Sequence, residues 1–196
     1  MLEFIKTIIS LLIALLKFKV SSQLLKIFPP STTPVIEVRQ GKLRGATSTL
    51  PNGSPYHYFK GVPYAKPPVG ELRFRSPVAI EKYYKPVVDC LVDRSACIQT
   101  IIGKLVIGKE SGLFLNIYTP CLPSNEQNNL KLPVMIWIHG GGFISGSADS
   151  FIYDPVYLVQ EKVIVVTMNY RLGPLGFLSM PAAGIAGNAG LKDQVK

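Results

Sequence analysis

The chain has 196 residues, 47% hydrophobic and 17% charged, a balance that excludes extensive disorder and fits one folded domain. Its 17 glycines and 16 prolines follow no Gly-X-Y period, and its three cysteines and two histidines stand at no zinc-ligand spacing, which excludes collagen, a disulfide scaffold and a zinc centre. The net charge of +9 comes from lysines and arginines scattered singly, which reads as solvated surface rather than a nucleic-acid partner.

Residues 1–28 stand apart and end at the breaker Pro29-Pro30-Ser31-Thr32-Thr33-Pro34, a Pro-rich linker over 29–34. The uncharged run Thr7–Leu16 is too short for a transmembrane helix. A signal peptide would use Lys6 as its basic region and Val20-Ser21-Ser22 as its cleavage site. An interfacial helix would place Lys6, Ser10, Lys17 and Ser21 on one stripe and Leu2, Ile5, Ile9, Leu12 and Leu16 on the other. The membrane-surface helix is adopted here, with the signal peptide as alternative and a core-packing helix as the plain reading.

Val35–Arg39 alternates and is rich in β-branched residues, and Gln40-Gly41 turns it into Lys42-Leu43-Arg44, a small hairpin. Pro51-Asn52-Gly53-Ser54-Pro55 is a second turn, followed by a strand over Tyr56–Lys60. Residues 61–100 read as Pro-rich and irregular. Three apolar runs follow: Leu113–Tyr118, Val134–Ile138 and Val163–Met168. The last two barely alternate, which predicts strands buried on both faces of a helix-covered sheet. A helix is predicted over Phe151–Lys162 between them, giving an α/β pattern.

Two glycine clusters invite chemistry. Gly103–Glu110 nearly spells a phosphate loop, but Glu110 stands where a hydroxyl should meet Mg²⁺ and no apolar strand feeds it. Ile138-His139-Gly140-Gly141-Gly142-Phe143 follows an apolar strand directly. Three successive glycines cost backbone entropy and suit a place where backbone must take positive φ or approach something closely. A dinucleotide fingerprint fails, because Ser145 falls where its last glycine belongs. What survives is an oxyanion hole, in which backbone N–H groups meet a carbonyl oxygen as it becomes O⁻.

Five blocks then carry a resemblance. They are Gly61–Arg75 (GVPYAKPPVGELRFR), Leu115–Pro120 (LNIYTP), Trp137–Phe143 (WIHGGGF), Asn169–Leu178 (NYRLGPLGFL) and Gly187–Gln194 (GNAGLKDQ). In this order they resemble the type-B carboxylesterase/cholinesterase family of α/β-hydrolases, with wording like insect general esterases, over 35–196. The resemblance implies an α/β chain holding the N-terminal part of that fold: a small β-hairpin sheet and the first strands of the central mixed sheet. It implies Gly141 and Gly142 as oxyanion-hole donors, His139 as a loop-fixing residue outside the triad, and two structural ion pairs, Arg73 with Glu110 and Arg171 with Asp193, both treated as buried pairs that hold loops to the core.

The family also places a serine in GxSxG, then an acid and a histidine. No serine of this chain has Gly at both second-neighbour positions. The expectation is therefore the N-terminal portion of a serine carboxylesterase acting on a small-molecule ester through an acyl-enzyme, inactive as written, with no metal or organic cofactor. In such a portion Val134–Ile138 and Val163–Met168 keep exposed edges or faces for want of the family's later strands and helices. The alternative is a non-catalytic adhesion or binding relative. The family often has Cys where Gly112 stands, paired with a cysteine near Cys97; without that pair, the loop Ile98–Lys109 is expected to differ. The loss suits a reducing compartment, so an intracellular endoplasmic-reticulum membrane surface is expected, with secretion as the alternative.

Overall fold

A computed structural model describes residues 31–101, 105–123 and 131–196. Residues 1–28, with their membrane-surface and signal-peptide readings, lie outside the described residues. The strands in chain order are β1 (Ile36–Val38), β2 (Gly41–Arg44), β3 (Ala46–Thr49), β4 (Pro55–Pro63), β5 (Val87–Asp89) and β6 (Gln99–Ile101), then β7 (Leu105–Ile107), β8 (Phe114–Thr119), β9 (Val134–Ile138), β10 (Ile164–Met168), β11 (Ser179–Met180) and β12 (Ile185–Ala186). Three short helices accompany them: α1 (Val156–Gln160), α2 (Gly173–Phe177) and α3 (Ala189–Gln194).

The hairpin foreseen at Val35–Arg44 forms, with Ile36 opposite Leu43 and Val38 opposite Gly41. Gly41 takes φ +140°, a conformation that L side chains rarely adopt. β5 adds to β2 in parallel, although its region reads as irregular in the sequence. The main sheet runs β3-β4-β8-β10-β9. It is antiparallel from β3 to β10 and parallel between β10 and β9. A register shift between Phe59 and Val62 bends β4 where it passes β8.

Apolar side chains of Leu43, Phe59, Val62 and Val88 close the space between the small sheet and β4. On another part of the sheet Tyr56, Tyr118 and Val165 pack with Val159 of α1, whose side chain is wholly enclosed. A third cluster, with Ala65, Cys97, Leu113, Tyr170 and Leu172, lies where the chain leaves β10.

Two expectations are corrected. The helix predicted over Phe151–Lys162 forms only at Val156–Gln160. Pro155 disfavours helical backbone at Asp154 before it, and Lys162 at φ +61° ends the run. Residues 151–153 instead form a turn on Asp149, whose carboxylate accepts the Phe151 N–H at 2.8 Å and whose backbone carbonyl takes those of Ile152 and Tyr153. The second correction concerns β9, for which the apolar run by itself predicts burial on both faces; the expectation of exposed edges or faces is the one that matches. Every residue of it is exposed, from 43% at Ile138 to 61% at Ile136: it is an edge strand and its side chains have little cover beyond the Tyr153 ring on Trp137, whereas Ala46 on the opposite edge strand is fully buried.

Candidate functional site

β9 delivers the chain into the glycine turn at the end of the sheet. His139 is 2% exposed, stacks on Tyr170 at 4.5 Å between centroids, and its backbone carbonyl accepts the Tyr170 hydroxyl at 3.0 Å. Its Nδ1 lies 2.9 Å from the Gly140 carbonyl. A carbonyl only accepts, so Nδ1 carries the hydrogen. Burial pushes the imidazole below its ordinary pKa, which keeps the ring neutral, and Nε2 has no partner among the described residues.

Gly141 then takes φ +126° and Gly142 φ +59°. The Gly141 carbonyl accepts the N–H groups of Ile144 and Ser145, both at 3.1 Å, closing the turn so tightly that a Cβ on Gly141 would collide with the Ser145 carbonyl. At Gly142 a Cβ would meet open space, so only its backbone conformation calls for glycine. The N–H groups of Gly140, Gly141 and Gly142 find no acceptor among the described residues, and all three residues are exposed. Neighbouring free amides of this kind can surround an anionic oxygen.

The segment leaving the turn is gripped by side-chain amides. Asn169 Oδ1 accepts the Ala148 N–H at 2.8 Å. The Ala148 carbonyl accepts Asn116 Nδ2 at 2.9 Å and the Thr167 hydroxyl at 3.1 Å. Gln99 donates from Nε2 to the Gly146 carbonyl and accepts the Gly146 N–H at Oε1, both at 2.8 Å. Beyond it, Ser150 donates its hydroxyl hydrogen to Asp93 at 2.6 Å while Lys60 Nζ donates to Ser150 Oγ at 2.7 Å. Lys60 and Asp93 form an ion pair at 3.5 Å, so this serine is held between opposite charges as a brace. Burial holds the neighbouring Asp149 carboxyl above its usual range, with the Phe151 amide opposing.

The sequence reading did not foresee these grips. Asn116 and Asn169 left a trace, as polar residues in or beside apolar strands. Gln99 left none, since nothing local distinguishes it from a surface glutamine.

Both expected ion pairs are brought together. Arg171 Nε and Nη2 meet Asp193 at 2.8 and 2.7 Å, and the Arg171 N–H adds a third bond at 3.0 Å. Arg73 Nε and Nη2 meet Glu110 at 2.6 and 2.9 Å. The Arg73 pair differs from expectation in one respect: its side chains are 43% and 27% exposed, so it is a surface pair. The three cysteines are free thiols. Ile98–Lys109, a loop in the sequence reading, carries the antiparallel β6–β7 pair. A groove of about 500 Å³ runs between Pro63, Tyr83, Tyr84, Leu113 and Phe114; no residue of the glycine turn lines it, so it is separate from the free amides. Among the described residues no cluster of three or more His, Cys, Asp or Glu could hold a metal ion, and no helix is long and apolar enough to cross a membrane.

Known proteins bear on this geometry. Residues 32–196 match the profile of the Carboxylesterase family. Esterase E4 of Myzus persicae is 40% identical over 168 residues, covering 84% of this chain and 30% of that protein. Juvenile hormone esterase of Tribolium castaneum is 41% identical over 165 residues, covering 83% and 27%. The crystal structure of juvenile hormone esterase from Manduca sexta, with OTFP covalently attached, superposes with a TM-score of 0.72 at 39% identity, over 82% of this chain and 31% of that one. The chain thus spans about 30% of the length of these relatives. Its mixed sheet is part of the α/β-hydrolase architecture of that neighbour, and by the match over residues 32–196 the chain belongs to the carboxylesterase family.

Proposed function

We propose that this chain supplies the oxyanion-binding turn of a serine carboxylesterase acting on small-molecule carboxylic esters. The carrying observation is the pair of exposed amides at Gly141 and Gly142, free of acceptors and following β9. A serine hydroxyl of the longer enzyme attacks the ester carbonyl, its proton passing to a histidine. As the carbonyl oxygen becomes O⁻, the two amides donate to it; the alcohol departs and water then releases the acid from the acyl-enzyme. His139 is not that base: it is buried, and its Nδ1 hydrogen is committed to Gly140. With no GxSxG serine among them, these 196 residues alone give no turnover on this reading.

The test is hydrolysis of p-nitrophenyl acetate by the polypeptide of the complete reading frame that contains this chain. A burst of nitrophenol equal to the enzyme is expected. Gly141→Ala keeps the amide, but its Cβ would collide with the Ser145 carbonyl at a φ of +126°, so the N–H should be turned out of place and kcat should fall by up to about 10²–10³-fold, the range found when an oxyanion donor no longer acts. Absence of hydrolysis, or a Gly141→Ala variant as fast as the parent, defeats the reading. The helical period of residues 1–28 supports attachment of the same protein to a membrane surface. Deleting them should move it out of the membrane fraction, and unchanged recovery there contradicts attachment.

A further inference from the structure

We infer that Gln99 is a positioning residue for the glycine turn: from the β6–β7 hairpin its side-chain amide grips Gly146 and so fixes the direction of the Gly141 N–H, an inference that rests on reading that amide as an oxyanion donor. Gln99 is 8% exposed. Its Nε2 donates to the carbonyls of Cys97 at 3.0 Å and Gly146 at 2.8 Å, and its Oε1 accepts the Gly146 N–H at 2.8 Å. Those three bonds use both amide hydrogens, and the demands of Gly146 fix which end of the side chain is oxygen. Gly146 finds no other partner for its N–H or carbonyl among the described residues. One side chain therefore does for Gly146 what a neighbouring strand would do.

Gly146 in turn bears on the turn itself. It takes φ +117°, and a Cβ there would collide with His139 Nδ1 and the Gly140 carbonyl, so its backbone lies directly against the hydrogen bond those two atoms make. In a trans peptide the carbonyl of Gly140 and the N–H of Gly141 point in opposite directions. Drawing the Gly140 carbonyl toward the His139 ring turns the Gly141 N–H away from it. The contact path is Gln99, Gly146, the His139–Gly140 bond, then the Gly141 amide.

The sheet does not need this grip. Two residues on, Ala148 is already tied to β8 and β10 through Asn116 and Thr167, and to the residue after β10 through Asn169. What Gln99 adds is control of the span from Gly141 to Gly146. Removing it should therefore spare the fold and disturb the turn.

Two variants of the complete-frame polypeptide test this. Gln99→Met keeps length and removes polarity. Its kcat for p-nitrophenyl acetate should fall about 10–100-fold, since small misplacements of catalytic groups cost up to about 10²-fold, with KM within about twofold; the unfolding midpoint should drop, because the Gly146 groups lose their partners, while the transition stays cooperative. Amide exchange at Gly146 should accelerate while β8 and β10 keep their protection. Gln99→Glu, when ionised, sets a carboxylate oxygen against the Cys97 and Gly146 carbonyls; protonation returns one O–H donor. The ratio of its kcat to the parent's should therefore rise as pH falls from about 8 to about 5, which loss of packing alone would not produce. If Gln99→Met does not fold, that ratio decides. Unchanged Gly146 exchange, an unchanged kcat, or a pH-independent ratio overturns the inference. If the parent hydrolyses no ester, the esterase reading falls by itself and Gly146 exchange still decides whether Gln99 holds the turn.

Discussion

Two arginine–carboxylate pairs with the same forked geometry lie in opposite surroundings. Arg171 and Asp193 have side chains 3% and 0% exposed, whereas Arg73 and Glu110 are 43% and 27% exposed. The bond lengths hardly differ: 2.7–2.8 Å inside and 2.6–2.9 Å outside. What differs is the alternative open to each charge. At the surface, water replaces a lost partner, and the pair contributes little. In the interior an abandoned charge has nothing to turn to, so removing one partner costs far more than the pair gains. The inner pair also holds the backbone, since Asp193 on α3 accepts the Arg171 N–H just past β10. Contact distance alone does not rank the two pairs; solvent access does.

The sharpest way to break this contrast is Asp193→Ala, which leaves Arg171 charged and buried. It should lower the unfolding free energy by about 3–5 kcal/mol, read from denaturant midpoints at constant m. Replacing both partners by apolar residues of similar volume should recover most of that loss. A loss below about 1 kcal/mol for Asp193→Ala would place the inner pair in the surface class.

The outer loop can be given by covalent means the hold that its ion pair lacks. Gly112, two residues from Glu110, has no positive φ, and a Cβ built on it would stand 2.8 Å from Cys97 Sγ but equally close to Cys97 Cα and N, so the two backbones must part slightly to admit a side chain. Gly112→Cys should therefore form a disulfide with Cys97 after a small adjustment, closing a loop of a size worth up to about 3 kcal/mol in the chain-entropy account. Burial pushes the Cys97 thiol up to about 12, so the bond needs an oxidant present during folding, when that thiol is accessible. The check is a thiol count on the denatured protein. The parent gives all three cysteines, and the oxidised variant should give only Cys90 and Cys121. Four reactive thiols would show that the bond had not formed.

Much of the frame was readable in the sequence because its signals are local. Alternation at Val35–Arg39 gave the β1–β2 hairpin, and the runs at Leu113–Tyr118 and Val163–Met168 gave β8 and β10 within a residue. The triple glycine marked the turn, since few other reasons exist for such a run. The apolar runs alone misjudged burial: β10 encloses Val165, Thr167 and Met168 but leaves Ile164 and Val166 partly exposed, and β9 is exposed throughout. β10 lies between β8 and β9, whereas β9 is flanked on one side, and an apolar run records a demand for cover without recording who supplies it. The short strands β5, β6 and β7, three residues each, were illegible because tertiary partners specify them rather than any period. The grips on the turn were hidden for the same reason: Gln99 meets Gly146 across 47 residues and Asn116 meets Ala148 across 32.

The interior logic extends to a group that stays neutral. His139 lies beside Tyr170 and next to the Arg171 region, and burial lowers its pKa from the ordinary value near 6.5. Its contribution is therefore present above about pH 6.5 and is lost as pH falls through the lower folded value, because the unfolded chain then binds a proton that the folded one refuses. Unfolding free energy should decline on acidification through that window, and His139→Gln should flatten the decline. His57, lowered by partial burial as well, leaves a smaller residual slope because more of it is in contact with solvent. An equal slope in parent and variant would show that the His139 ring meets water freely.

The smallest expected effect completes the contrast. Glu110→Gln keeps the shape of the side chain and one acceptor for Arg73 while removing the charge. Both partners are hydrated, so the loss should be small beside that of Asp193→Ala. It should also shrink further as salt rises, because exposed charges are screened over about 8–10 Å at ordinary ionic strength. The buried pair provides the control: the penalty of Asp193→Ala should hardly change over the same salt range, since solvent ions do not reach it. If instead Glu110→Gln costs as much as Asp193→Ala and ignores salt, then the loop from Cys97 to Gly112 shields its ion pair from water, and exposure measured residue by residue is the wrong guide to which charge matters.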